Sequence, residues 1–361
     1  LVVDGLFAGV GSVLVFLPQI AILFAFIGVL EHSGYMARAA YLMDRVMRRV
    51  GLHGKSFIPM LSGYACAVPG IMATRTIEDP KDRLATIMVV PLMSCSARLP
   101  VYTLLIGAFV PSTTLLPGFT LQGATMLAMY LLGTFVALAV AAIFKRTLLK
   151  GPVRPMILEL PPYRWPSLRS LGVSVAQRCQ LFLRRAGTVI LALSIVLWAL
   201  ATYPRSANDP TLSPASQQEQ QLAHSVLGRM GHAIEPIVRP LGYDWKIGVS
   251  IVSSFAAREV FVSTMSTIYG VGDVGDSDRA LQTRLVEERD PRTGARVYTP
   301  LIAIGLMVFY VFALMCISTI AVTVREAGGG RIGWGWAGLQ FGYKLAMAYV
   351  GSWIVYAGVR A

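Results

Sequence analysis

Long uncharged runs alternate with short charged segments along this chain. No charged side chain occurs in residues 99–144, nor in the runs 6–30, 186–204, 297–324 and 345–359. A helix needs about 20 apolar residues to cross a hydrocarbon core about 30 Å thick, so the longest run suffices for about two crossings. With 55% hydrophobic and 14% charged residues, the pattern predicts an all-α, polytopic transmembrane helical bundle rather than a water-soluble domain.

The segment after the first apolar run, EHSGYMARAAYLMDRVMRRVG (residues 31–51), has a helical period instead. Met36, Met43 and Val50 fall on one stripe, while Arg38 and Arg45 fall on other faces. A basic amphipathic helix of this kind is typical of a membrane surface.

Two apolar segments in the first half contain residues that interrupt regular helices. Residues 57–73 are flanked on both sides by charged segments and predict a re-entrant segment that enters and leaves on one side. Residues 84–110 predict a broken span that carries Cys95. The interrupting residues are Pro59, Gly63, Pro69 and Gly70 in the first segment, and Pro91 and Pro100 in the second. Irregular backbone at membrane depth is tolerated only where protein or a water-filled cavity satisfies it, which makes both segments candidate sites.

The second half repeats this order. An apolar segment with Arg258 and Glu259 at its centre precedes a span over 300–324 that carries Cys316, and a last span over 334–359 follows. We expect an inverted repeat with two broken, re-entrant gate segments, as in transporters whose sites lie where discontinuous helices meet. The predicted divisions are a first gate repeat at 1–144, a basic cytoplasmic linker at 145–185 and a second gate repeat at 186–361.

The net charge of +13 is explained by loops and gives no reason to expect a nucleic-acid partner. Residues 145–185 hold nine Lys or Arg against Glu159 alone, while residues 204–246 and 270–299 are nearly balanced. Because basic loops stay in the cytoplasm, the first segment is predicted to be cytoplasmic and the other two external.

Three of the four cysteines lie in apolar segments: Cys66, Cys95 and Cys316. A buried thiol is most often a small apolar side chain, but a transition ion such as Fe(II) accepts thiolate ligands that Mg²⁺ does not. Nearby hydroxyls such as that of Ser94, together with carbonyls at the breaks, complete a candidate metal-ion path.

Charges inside apolar segments are functional candidates by default. Arg98, Arg258 and Glu259 qualify, with structural pairing an equally weighted alternative, and Glu31 is a candidate gate carboxylate at the end of the first span. The stretch GLHGKS (residues 51–56) lacks the first glycine of a phosphate-binding loop. The chain is therefore expected to be a transporter domain rather than an enzyme, with no GTP or ATP site of its own.

Several segments together resemble the membrane domain of the ferrous iron transport protein B (FeoB) family. They are LEHSGYMARAAYLMDRVM, GYACAVPGIMATRTIEDPKDRL, PLMSCSARLPVY, DWKIGVSIVSSFAAREVFVSTM and CISTIAVTVRE, in the family's order. The resemblance implies a multi-pass Fe²⁺ importer of the bacterial inner membrane, with gate segments at 57–110 and 247–323. It assigns the metal-ligand roles to Cys66, Cys95, Cys316 and Glu31, and it excludes a ligand at Ala67, where relatives commonly carry Asn.

The resemblance also implies an amino-terminal GTP-binding domain, expected to be missing from this chain together with its GTP and Mg²⁺. No cofactor is expected here, and Fe²⁺ is the transported ion. The implied partners are the lipid bilayer, the GTP-binding domain and the small protein FeoA, with a homo-oligomer left open. Two alternatives stay open: a nucleoside-type gate permease, and a membrane thiol-redox protein.

Overall fold

The structure is a computed structural model. It describes residues 18, 21–22, 24–116, 119–151, 162–165, 167–183, 188–204, 220–221, 224–255, 258, 260–269, 277–289 and 296–358. The predicted first span lies largely outside these residues, although residues 24–30 are helical within it. Glu259 also lies outside the described residues.

Helices make up nearly all of the described chain, which confirms the predicted fold class. The described strands form one short hairpin of β1 (Thr114–Leu116) and β2 (Phe119–Thr120). In chain order the helices are α1 (Tyr35–Arg49), α2 (Phe57–Ala65), α3 (Ala67–Ala73), α4 (Pro80–Val89), α5 (Leu99–Phe109), α6 (Leu121–Arg146), α7 (Leu168–Phe182), α8 (Thr188–Thr202), α9 (Val226–Val238), α10 (Trp245–Ser253), α11 (Val260–Ile268), α12 (Ser277–Glu287), α13 (Pro300–Phe312), α14 (Ile317–Glu326) and α15 (Gly330–Gly358). Short 3₁₀ turns cover Gly54–Ser56, Thr74–Thr76, Val90–Leu92, Ser96–Arg98 and Arg239–Leu241.

Three segments of the described chain are long and apolar enough to cross a membrane: Pro80–Phe109, Leu121–Arg146 and Pro300–Glu326. The first and third are interrupted helices, α4 with α5 and α13 with α14. The last predicted span forms the helix α15, but α15 is not among the three segments that are apolar enough to cross a membrane. Its glycines and polar side chains keep it less apolar than the other three.

Three groups of described helices recur in the same order in each half, although α12 separates the first two groups in the second half. A pair of short helices comes first (α2 and α3, then α10 and α11), an interrupted pair follows (α4 and α5, then α13 and α14), and a long helix closes each half (α6, then α15). The halves pack against each other because α13 contacts α5 and α6, while α14 contacts α3. The opposite orientation of the halves in a membrane, and the domain boundaries, stay predictions.

The predicted amphipathic helix is confirmed as α1. Gly34 precedes it with φ 80°, a left-handed conformation that glycine adopts without strain, and this turn separates α1 from the helical residues before it. Met36, Ala40 and Met47 are buried against the protein, whereas Leu42 is 74% exposed. The protein therefore covers much of the predicted stripe, and the position of α1 on a membrane surface stays a prediction.

A buried ion pair holds the end of α6 against the first turn of α4. Lys145 Nζ lies 2.5 Å from Asp82 Oδ1, and both side chains are at most 4% exposed. The sequence placed Lys145 at the start of a basic linker, but its ammonium group lies inside the bundle. Burial of both charges is tolerated because each neutralises the other.

Candidate functional site

The first break lies at Cys66. This residue has an extended backbone (φ −157°, ψ 135°) between α2 and α3, so the chain reverses there and the two helices fold against each other. A Cβ added to Gly70 would lie 2.9 Å from Pro59 O and 3.1 Å from Gly63 N. Gly70 is therefore required by the close approach of the two helices, whereas a Cβ added to Gly63 would meet Val90 O at 3.1 Å, beyond the end of α4.

The prolines of this segment do not cause its break. Pro59 and Pro69 each occupy the third position of a short helix, α2 and α3. Backbone N–H groups in a first turn have no partner within the helix, so proline costs little there. The sequence predicted the location of the interruption correctly, but the prolines begin helices rather than end them.

The second break covers Met93 to Cys95, between α4 and α5. Pro91 has no N–H, so Ile87 O cannot receive its usual bond from the residue four positions later. Gln340 Nε2 of α15 donates to Ile87 O instead, at 2.9 Å, and Tyr343 Oη donates to Met88 O at 2.6 Å. The long helix of the second half thus satisfies the backbone that Pro91 opens in the first half.

Arg98 stabilises the other side of this break. Its side chain is completely buried and donates to Pro91 O and Leu92 O, each at 3.3 Å, and to Ser94 Oγ at 2.9 Å. The contacts support the structural alternative for Arg98. Ser94 Oγ, predicted as a path residue, accepts a hydrogen bond from this guanidinium.

The third break, Ala313 to Cys316, was not anticipated. The sequence predicted an uninterrupted span here because neither proline nor glycine occurs between Phe312 and Ile317. Cys316 is extended (φ −161°, ψ 107°) and precedes α14, and Arg258 Nη2 donates to Ala313 O at 3.1 Å. The partner of this opened backbone comes from a segment more than 50 residues away, and no local signal reveals it.

The three breaks adjoin one another. Ser96 Oγ, just after the second break, donates to Ala65 O beside the first at 3.3 Å. Arg258 joins the second and third, because its Nη1 lies 3.8 Å from Cys95 Sγ while Nη2 contacts Ala313 O. We call this region the three-break centre; it comprises Cys66, residues 93–95 and residues 313–316.

Three basic side chains lie near Cys95 inside the bundle. Arg98 and Lys344 are completely buried and Arg258 is 5% exposed. Arg98 interacts electrostatically with Arg258 and with Cys95, whereas Lys344 Nζ has no hydrogen-bond partner among the described residues. Of the described side chains, the two guanidinium groups make the surroundings of Cys95 positive.

The predicted metal ligands do not form a ready-made cage. Cys66, Cys95 and Cys316 are cysteines of intermediate burial that form no disulfide, whereas Glu31 is exposed near the end of the helical segment before α1. Within the described ranges, no group of three or more His, Cys, Asp or Glu side chains is placed to hold a metal ion. The ligand roles of these four residues stay predictions.

An ion-pair cluster at the end of α14 was also absent from the sequence interpretation. Glu326 Oε2 accepts from Arg75 Nε at 2.9 Å and from Arg83 Nη2 at 2.8 Å. Hydrogen bonding and charge attraction from this carboxylate raise the pKa of Arg75. The cluster ties α14 of the second half to the turn before α4, through Arg75, and to α4 itself, through Arg83.

Comparison with known sequences places these features in a family. Residues 13–109 and 183–330 match the Gate family described as "Nucleoside recognition". Residues 126–178 match the family described as "Ferrous iron transport protein B C terminus". Together the two matches include all three breaks.

Curated relatives extend the match to almost the whole chain. The chain is 46% identical, over 99% of its length, to the Fe(2+) transporter FeoB of Leptospira interrogans and 41% identical, over 99%, to that of Staphylococcus aureus. It is 43% identical, over 99%, to a fusion of Fe(2+) transport protein A with Fe(2+) transporter FeoB in Porphyromonas gingivalis. The chain spans 50%, 48% and 44% of these relatives, respectively. No solved structure matches the chain.

Proposed function

Because this chain belongs to the FeoB family, whose C-terminal membrane part it forms, we propose that it conducts Fe²⁺ across a bacterial inner membrane through the three-break centre. The observation that carries the proposal is the position of the three cysteines. Each is an extended residue directly before a helix or 3₁₀ turn, at a point where the chain leaves regular helix. Each break brings a soft sulfur ligand together with backbone carbonyls that no longer belong to a helix.

The chemistry of these groups suits a transported ion better than a stored one. Fe(II) accepts thiolate and oxygen ligands, and rapid passage requires binding weak enough to release the ion. The lack of a complete cage among the described side chains agrees with that requirement. Cys66, Cys95 and Cys316 would then hold the ion one after another, with Gly63, Pro69 and Gly70 shaping the first break and Glu31 near the exit.

The test is anaerobic Fe(II) uptake into proteoliposomes that contain the full-length protein. We expect Cys95→Ser to reduce the uptake rate at least about tenfold, because an alcohol is a much poorer ligand than a thiolate for this ion. Cys179→Ser is the matched control, since Cys179 lies within the helix α7 and belongs to none of the three breaks. If the Cys95 variant took up Fe(II) as fast as the Cys179 variant and the unaltered protein, the thiol of Cys95 would not be part of the path.

A nucleoside permease is the second candidate, favoured by the description of the Gate family match. Asn, Gln and Glu side chains would bind base and ribose, yet the gate segments at 57–110 and 247–323 contain no asparagine and one glutamine, Gln282. Gln340 is already bonded to Thr323 and to the carbonyls of Ile87 and Met88. Uptake of radiolabelled nucleosides into the same proteoliposomes distinguishes the candidates, and we expect none above empty vesicles.

A membrane thiol-redox protein is the remaining alternative. It requires two cysteines within disulfide reach, with Cα atoms about 4.4–6.8 Å apart, and no disulfide joins any of the four cysteines in this structure. Thiol titration before and after mild oxidation tests it. We expect the same number of reactive thiols in both samples.

We further propose that a GTP-binding domain of the same protein regulates this path and that a small FeoA-type protein binds it. The fusion protein of Porphyromonas gingivalis supports the second partner, because its name joins Fe(2+) transport protein A to the transporter. Co-purification of a FeoA-type protein with the full-length transporter tests the partner. GTP dependence of uptake tests the regulation, and cross-linking in the membrane tests a homo-oligomer.

A further inference from the structure

Arg258 connects two of the breaks by contacting atoms suited to binding a metal ion. One nitrogen of its guanidinium lies 3.8 Å from Cys95 Sγ, and another donates to Ala313 O at 3.1 Å. A thiol and a carbonyl outside a helix can contact a guanidinium group or a metal ion. Arg258 therefore occupies the ligands that the proposed path offers to Fe²⁺.

The two buried arginines of the centre differ in how firmly they are held. Arg98 donates to three oxygen atoms at 2.9–3.3 Å, all within residues 91–94 of its own segment. Among the described residues Arg258 contacts one carbonyl oxygen and one sulfur, and sulfur is a weak acceptor. Among the described residues the Nε of both arginines is buried without a hydrogen-bond partner, so the two differ only in their acceptors. Arg258 therefore loses fewer strong bonds than Arg98 if it moves.

Charge gives a second reason why Arg258 must move. A divalent cation beside Cys95 would face the guanidinium groups of Arg98 and Arg258 at once, and like charges in a low-dielectric interior repel strongly. Arg98 is fixed by its bonds to the backbone. Arg258, in contrast, contacts Cys95 Sγ and Ala313 O, the same two atoms that the ion would bind. Its departure would remove the nearest positive charge and free both acceptors in one step.

We propose that Arg258 is a tethered cation that keeps the three-break centre closed, and that Fe²⁺ displaces it from Cys95 Sγ and Ala313 O during passage. The inference rests on the proposed path through Cys95. It gives Arg258 a specific role, that of a competitor for the ion's ligands. It also predicts selectivity, because only an ion with higher affinity for the thiol than a guanidinium opens the centre.

The experiment measures anaerobic Co(II) binding to the full-length protein in lipid nanodiscs, through the near-ultraviolet charge-transfer band of a cobalt–thiolate bond. We expect a band in the unaltered protein, its loss in Cys95→Ser, and about tenfold tighter Co(II) binding in Arg258→Gln. A net hydrogen bond to a charged group corresponds to about that change in affinity. Arg284→Gln, on the exposed side of α12, is the matched control and should leave the affinity unchanged.

Arg258→Lys keeps the inference testable if Arg258→Gln does not fold. Lysine retains the charge but lacks the planar fork that bridges two acceptors, so we expect an intermediate Co(II) affinity. A band that depends on Cys95, with an affinity unchanged by either Arg258 variant, would overturn the tethered-cation role and leave the path intact. The absence of a thiolate band from every variant would overturn the proposed path itself.

Discussion

Gln340 provides a direct test of how the second break is stabilised. Its amide donates to Ile87 O and Met88 O and accepts from Thr323 Oγ1, all within a completely buried site. Gln340→Leu preserves the approximate volume of the side chain and removes all three bonds. Met88 O keeps the bond from Tyr343, so Ile87 O is the backbone group left without a partner.

The cost of that change follows from the number of groups that lose a partner. A buried polar group without a hydrogen bond costs about 1–3 kcal/mol, while single side-chain bonds in membrane proteins average about 0.6 kcal/mol. Thr323 can turn its hydroxyl to a carbonyl of its own helix, so Ile87 O dominates. We expect Gln340→Leu to lower the free energy of unfolding by about 2 kcal/mol.

A double-mutant cycle with Pro91 makes the test specific. Pro91→Ala restores an N–H that can donate to Ile87 O by extending α4, so Gln340→Leu should lower the free energy of unfolding by about 1 kcal/mol less in that background. The assay is equilibrium unfolding of the full-length protein in mixed detergent micelles. Gln122→Leu serves as the control, because Gln122 donates to Val110 O from a partly exposed position where water replaces the bond.

If Gln340→Leu lowered the free energy of unfolding equally in both backgrounds, the reasoning would be refuted. That result would mean that the bond from Gln340 does not replace the one that Pro91 cannot donate to Ile87 O. A cost below about 0.5 kcal/mol in the unaltered background would refute it as well. In either case another group would have to satisfy Ile87 O.

Three further predictions use the same unfolding assay. Lys145→Met should lower the free energy of unfolding by about 3–5 kcal/mol because it leaves Asp82 charged, buried and unpaired. Adding Asp82→Asn should recover much of this loss, and equal stability of the single and double variants would contradict the prediction. Gly70→Ala should lower the free energy of unfolding by about 1–3 kcal/mol by overpacking α2 against α3. Gly338→Ala, with no atom within 4 Å of the added Cβ, should not destabilise the protein. Similar losses of stability in the two variants would argue against the close approach at Gly70. Glu326→Gln should lower the free energy of unfolding by only about 1 kcal/mol because its partners Arg75 and Arg83 are partly exposed. This difference in stability from the unaltered protein should shrink with added salt. A difference that does not depend on salt would exclude an electrostatic origin.

The sequence alone determined the class of the fold and much of the first gate segment. Uncharged runs of membrane length predict helices wherever they occur, because a backbone in lipid must satisfy its own hydrogen bonds. Glycine and proline marked the interruption near Cys66, and the helical period of residues 31–51 predicted α1. These signals are local, so a single sequence contains them.

The tertiary structure decided which polar groups meet inside the bundle. The break at Ala313 to Cys316 carries no proline or glycine, and one of its opened carbonyls is satisfied by Arg258 from another segment. Gln340 and Ile87 are likewise 253 positions apart. Arg98 and Arg258 were equal candidates in the sequence, yet one stabilises its own break while the other bridges two. The physical reason is that a buried polar group needs a partner, and the packing of distant helices selects that partner.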